Sequence, residues 1–222
     1  NGYAFHGGSF VSVTIPNSVT SIGYSPFENC SNIRSITTPI LGSEFDVVFD
    51  SQGTIVTLTS GTSLPANYFR NSTTITRITF TGNDLISIGN AAFLDCSALT
   101  YVELPKSVKT IGTSVFARTK ISEITIPESC TSIGRDAFAS CSSLQKVNLA
   151  CKITNIQKGM FYECVNLTSV SLPTTVLTIE SDTFTNCSKL KTVTLPSGLT
   201  SIGNNAFRGC SLLNNVTIPS TV

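Results

Sequence analysis

Phenylalanine returns down this 222-residue chain at a nearly fixed step: Phe5, Phe27, Phe49, Phe69, Phe93, Phe116, Phe138, Phe161, Phe184 and Phe207. The gaps are 22, 22, 20, 24, 23, 22, 23, 23 and 23 residues. A period in the low twenties marks a solenoid, in which each repeat is one coil that must stack on its neighbours to bury its apolar side. The repeat therefore predicts one elongated domain over residues 1–222, where length alone would allow one or two globules. Both ends cut through a repeat. Residues 1–10 align with 203–212, and 216–222 form the first third of another coil. The chain is thus read as part of a longer array.

One coil shows the rule. From Leu99, the residues Leu99, Val102, Leu104, Val108, Ile111 and Phe116 can share one interior. The alternation Val102-Glu103-Leu104 is a strand signal with Glu103 outside. Pro105 has no N–H for a ladder, so it ends the strand. Ile111-Gly112 closes a second short strand. Glycine at this step (Gly23, Gly89, Gly112, Gly134 and Gly203) implies either positive φ or close backbone approach. The Ala-Phe step that follows is read as a helical or 3₁₀ turn carrying the ring inward. Each buried ring is worth roughly 1.5–3 kcal/mol.

The pattern Leu-x-x-Val-x-Leu-Pro-x-x-Val-x-x-Ile-Gly-x-x-Ala-Phe-x-x-Cys is met most closely by Leu190 through Cys210, and the frame runs well through 1–33 and strongly through 76–222. It resembles the BspA-like branch of the leucine-rich repeats. That resemblance implies a leucine-rich repeat solenoid of stacked coils of about 23 residues. A parallel strand sheet would form one side, with short second strands and turns on the other. It also implies a cell-surface or secreted protein, since members of this family occur on bacteria and mucosal protozoa and several are regarded as adhesins for host matrix proteins or other cells.

Between Ile33 and Ile75 the frame degrades. Residues 34–75 are either a worn coil that still places Phe49 on the ring column, or an inserted loop or hairpin, a usual seat of function on a repeat scaffold. The worn coil is preferred, because the 42 residues from Phe27 to Phe69 are close to two coils.

Six of the eight cysteines, Cys30, Cys96, Cys141, Cys164, Cys187 and Cys210, stand three residues after a column Phe. Other coils carry Gly8, Ser72 or Thr119 there, so the slot accepts any small residue. An even count in a surface protein argues for a disulfide framework. Against that, a bridge partner could not be lost piecemeal, and parallel Cβ vectors suit the required dihedral poorly. Free, buried thiols are expected, including Cys130 at a core position and Cys151 in a turn. The lone His6 and the absence of a Cys-x-x-Cys pair give no zinc spacing. His6 has only Cys30 as a nearby thiol, and the thirteen acidic residues form no paired-carboxylate constellation. No glycine-rich phosphate cradle occurs. An enzyme, a metal site and a cofactor are not expected.

Net charge is +1 with no basic run, which leaves no electrostatic footprint for nucleic acid. No apolar run approaches the ~20 residues of a membrane span, so direct insertion by this stretch is not expected. Five Asn-x-Ser/Thr sequons begin at Asn29, Asn71, Asn166, Asn186 and Asn215. They are either glycan acceptors or a by-product of the Asn-Cys-Ser repeat consensus.

The outward strand positions form the face that would meet a partner. Its central rank reads Thr14, Thr37, Thr57, Thr79, Glu103, Thr125, Asn148, Ser171, Thr194 and Thr217. Threonine suits parallel strands for its own sake. Arg77, Tyr101, Glu103, Glu123 and Lys146 supply the only aromatic and charged texture there, and Tyr and Arg tend to anchor interfaces. The preferred expectation is a monomeric, non-catalytic adhesion or recognition module that binds a host or matrix protein or a glycan through this face. A rigid spacer displaying another domain is the main alternative. Ice or crystalline-surface binding by the threonine rank is the third.

Overall fold

The computed structural model describes residues 4–15, 26–27, 30, 35–38, 45–49, 55–58, 62–81 and 84–222. The first five strands are β1 (Ser12–Thr14), β2 (Ser35–Thr38), β3 (Phe45–Phe49), β4 (Ile55–Leu58) and β5 (Ser63–Leu64). Next come β6 (Arg77–Phe80), β7 (Ser87–Ile88), β8 (Tyr101–Val102), β9 (Thr110–Ile111), β10 (Glu123–Ile126) and β11 (Ser132–Ile133). The last six are β12 (Lys146–Leu149), β13 (Asn155–Ile156), β14 (Ser169–Ser171), β15 (Thr178–Ile179), β16 (Thr192–Thr194) and β17 (Ser201–Ile202).

The strands build two walls. The first runs β1-β2-β3-β4-β6-β8 and then, as a separate ladder, β10-β12-β14-β16. The second runs β5-β7-β9-β11 and then β13-β15-β17. Coils stack in parallel at one repeat per step, as in Ile124↔Val147 and Val147↔Val170. The alternation read from sequence is observed: in β10, Glu123 and Thr125 are exposed while Ile124 and Ile126 are buried.

Between the walls lies the ring column. From Phe69 to Phe207 seven phenylalanines stack in succession, with centroids 5.3–5.6 Å apart and planes within 6–11°. Phe93, Phe116, Phe138, Phe161 and Phe184 are completely buried. Leu99, Ile121, Leu144, Leu167 and Leu190 are equally inaccessible, so the aliphatic positions of each coil pack around the rings.

The segment carrying each ring departs from the helical or 3₁₀ turn expected of it, and no helix occurs among the described residues. The amides of Ala91, Phe93 and Asp95 donate to Thr113, Val115 and Ala117 of the next coil at 2.8, 3.0 and 3.0 Å. The alternate amides of Ala92, Leu94 and Cys96 close turns on Gly89, Ala91 and Phe93. This alternation requires two left-handed residues per coil, four apart, such as Ala91 (φ 56°) and Asp95 (φ 60°), then Ser114 (φ 53°) and Arg118 (φ 58°). A 3₁₀ turn would aim every amide into its own coil and forfeit the ladder to the neighbour. At the Ile-Gly step the second alternative applies. Gly134 has no positive φ, and a Cβ there would stand 2.5 Å from the Thr113 nitrogen of the preceding coil.

Within 34–75 the structure departs from the worn-coil reading. β3 pairs antiparallel with both β2 and β4, while β4 resumes parallel stacking on β6. Phe49 is therefore opposite Val56 in the first wall, away from the ring-bearing turns. Phe27 already stacks on Phe5 at 5.3 Å, and Tyr68 stands edge-on to Phe27 at 5.9 Å and to Phe69 at 4.7 Å. The 42 residues from Phe27 to Phe69 thus supply three strands to the first wall, β2, β3 and β4, the middle one reversed. Sequence arithmetic counted two coils because a strand hairpin uses about as many residues as a coil.

Candidate functional site on the strand wall

The cysteine slot is occupied as the repeat register implies, and its chemistry is structural. All eight cysteines are free, and seven of them are buried. Each thiol of Cys96, Cys141, Cys164, Cys187 and Cys210 donates to the carbonyl of the column phenylalanine one coil earlier at 3.0–3.1 Å. Burial pushes the Cys96 and Cys187 thiols up to about 12 and that of Cys141 to about 11. Cys30 follows the same pattern. Its thiol donates to Phe5 at 2.7 Å and burial raises its pKa, opposite to the activation a nucleophile needs. Thr119 fills the slot in its own coil and turns its hydroxyl back to the Phe116 carbonyl at 2.8 Å.

That coil is also one residue short. From Phe116 to Ile121 is five steps, against six for Phe93–Leu99, Phe138–Leu144 and Phe161–Leu167. The shortfall falls immediately before β10, and it coincides with a split in the first wall. β8 pairs with β6 and β10 with β12, yet β8 and β10 touch without forming a ladder. The same two coils remain joined at the second wall through Thr110↔Ser132, and at the turns through Phe116 N–H to Ala137 O at 2.8 Å. The coils are therefore fastened on two sides, and on the third by the Lys120 N–H to the Leu99 carbonyl at 2.9 Å, just ahead of the unpaired strands.

A groove of about 1090 Å³ lies over this split. Four of the five residues singled out from sequence line it: Tyr101, Glu103, Glu123 and Lys146. The fifth, Arg77, buttresses it. Its guanidinium lies 3.9 Å over the Tyr101 ring, and the Tyr101 hydroxyl donates to Glu103 Oε2 at 3.0 Å. Tyr101 is consequently held at both its ring and its hydroxyl. Glu123 and Lys146 are Cα partners across β10 and β12 but form no ion pair. Among the described residues, the one ion pair joins Arg118 to Asp95, on the ring-bearing turns.

Sequence reasoning missed Lys106 and Glu128, which also line the groove. The signal was available in the residue after each strand-ending proline. It is charged at Lys106 and Glu128 and uncharged at Asn17, Thr174, Ser197 and Ser220. Asn148 and Ser171, read as members of the threonine rank, are lining residues too. Elsewhere the rank behaves as a strand device, with Thr57 and Thr79 hydroxyls 3.0 Å apart.

The chain matches the family model described as BspA type leucine-rich repeat region, in six copies, over residues 1–49, 62–191 and 154–222. No curated protein matches it. Among solved structures it is similar to a leucine-rich repeat protein from Bacteroides ovatus, with TM-score 0.74 and 29% identity, over 95% of this chain and 52% of that one. It is similar to the T. pallidum leucine-rich repeat protein TpLRR, with TM-score 0.67 and 26% identity, over 77% and 88%. A leucine-rich repeat protein from Eubacterium ventriosum shares the fold, with TM-score 0.72 and 24% identity, over 97% and 56%. The chain spans about half the length of the Bacteroides protein.

Proposed function

Because the chain belongs to the BspA-type leucine-rich repeat family, we propose that it is a non-catalytic recognition module displayed at a cell surface or secreted, binding a macromolecular ligand through its first strand wall. The observation that carries this reading is the groove over the split between β8 and β10. It gathers an anchored aromatic ring, carboxylates and amines on a wall that is elsewhere a plain hydroxyl surface. A concave site with a few convergent polar groups is the usual form of a binding site. Family membership supports the surface location and the adhesive role.

Binding of the purified chain to immobilised matrix proteins and to cell-surface glycans tests the reading. Replacing Tyr101 and Arg77 with alanine should weaken whatever binding is found while leaving thermal stability nearly unchanged, since both side chains lie outside the core. Full binding by the double variant would remove the site. A second reading is a rigid spacer, favoured by the unbroken stack from Phe69 to Phe207. It expects no ligand for this chain, and binding only when flanking sequence is present.

A further inference from the structure

We infer that the groove over the β8–β10 split takes a cationic side chain, arginine above all, presented by a protein partner. This rests on the strand-wall reading above and names the chemistry of that site. One face of the Tyr101 ring already holds a guanidinium, that of Arg77, at 3.9 Å. Arg77 sits on β6, which pairs with β8 on the side of the preceding coil. The opposite ring face is therefore turned toward Glu123 and the groove, which Tyr101 lines. The free ring face also attracts a cation, less strongly than the first because the two charges repel across the ring, so the site depends on Glu123 as well.

The charges are placed to receive it. Three carboxylates, Glu103, Glu123 and Glu128, line the groove with two amines, Lys106 and Lys146, and the Arg77 guanidinium behind Tyr101 makes the charges equal, so the attraction is local, to Glu123 rather than to the groove as a whole. Glu103 is fixed by the Tyr101 hydroxyl at 3.0 Å. Glu123 occupies the strand position of the next coil that corresponds to Tyr101. It is exposed and, among the described residues, has no ion-pair partner, because its register neighbour Lys146 does not reach it. A planar guanidinium laid on the free face of Tyr101 would meet a carboxylate edge-on, as bidentate pairing requires.

The experiment titrates the whole chain with the peptide acetyl-Gly-Arg-Gly-Arg-Gly-amide, following backbone amide resonances by NMR, a readout that every variant keeps. The citrulline and lysine versions of the peptide, and a neutral oligosaccharide, serve as comparisons. The arginine peptide should bind more tightly than the lysine one, weaken with added salt, and lose affinity roughly fivefold or more with Glu123→Gln and with Tyr101→Leu. Lys146→Gln should strengthen binding of the arginine peptide, because it removes a competing cation beside Glu123. Equal binding by the citrulline peptide, or preferential binding of the oligosaccharide, would overturn the inference. So would arginine binding that Glu123→Gln leaves unchanged. Matrix-protein binding that is lost with Tyr101→Leu but is indifferent to Glu123→Gln would sink the cation site while sparing the strand-wall reading. Loss of neither would remove both.

Discussion

Truncating Phe161 to alanine removes a ring with no exposed surface, stacked between Phe138 at 5.6 Å and Phe184 at 5.4 Å. The lost transfer energy and the residual cavity together cost about 3–5 kcal/mol, because rigid neighbours collapse only partly onto the space. Phe207 provides the internal comparison. It is only partly buried and stacks on one ring in this chain, Phe184 at 5.3 Å. Its truncation should cost about half as much, roughly 1.5–2.5 kcal/mol. Urea unfolding followed by far-ultraviolet circular dichroism measures both. Since coils couple to nearest neighbours, Phe161→Ala should also broaden the transition or split it as the two flanking segments uncouple. Similar small losses at the two positions, or a loss under about 1 kcal/mol at Phe161, would refute the reasoning from the column.

Three further perturbations probe other parts of the fold. Cys96, Cys141 and Cys187 have folded pKa values raised to about 12, 11 and 12 by burial. An unfolded thiol titrates near 8.5, so their contribution is intact below that pH and is lost as pH climbs toward the folded values. The urea midpoint of the parent chain should therefore fall more steeply above pH 9 than that of the Cys96→Ser, Cys141→Ser and Cys187→Ser triple variant. Parallel curves would contradict the raised values. Ala91→Gly relieves a left-handed alanine at φ 56° and should raise stability by up to about 1 kcal/mol, read as a higher melting temperature. Tyr68 is buried, and its hydroxyl has no hydrogen-bond partner among the described residues. Tyr68→Phe should accordingly raise stability by about 1 kcal/mol, and a clear loss would reveal a bond to that hydroxyl.

The coil was legible because its signals are local and repeated. Val147-Asn148-Leu149 states a strand, Ile133-Gly134 a close approach, and Phe138 a buried ring, each confirmed by the same residues in neighbouring coils. The turn conformation was not legible. Its left-handed positions do favour Asn, Asp and Gly, as at Asn67, Asp95, Asp136, Gly159, Asp182 and Asn205, but Ala91, Ser114, Arg118, Ser140 and Glu163 blur that mark, since inter-coil backbone bonds impose the geometry on whatever residue stands there. Residues 45–49 were misread because the register alone cannot separate a hairpin strand from a coil that has lost its motif. At the site, Glu103 was named from its break with the threonine rank, and Tyr101, Glu123 and Lys146 from the aromatic and charged texture two positions earlier on the strands. The groove that joins them lies beside a coil that is one residue short between Phe116 and Ile121. That shortening was visible in the sequence, but the split in strand pairing beside it needed three dimensions.

The most direct test of the column is a nuclear Overhauser measurement on protein in which only phenylalanine rings are protonated. An unbroken chain of inter-ring contacts from Phe69 through Phe93, Phe116, Phe138, Phe161 and Phe184 to Phe207 is expected, matching centroid spacings of 5.3–5.6 Å. Rings that show no contact with their counterparts one coil away, or that exchange freely with solvent-borne relaxation agents, would contradict it.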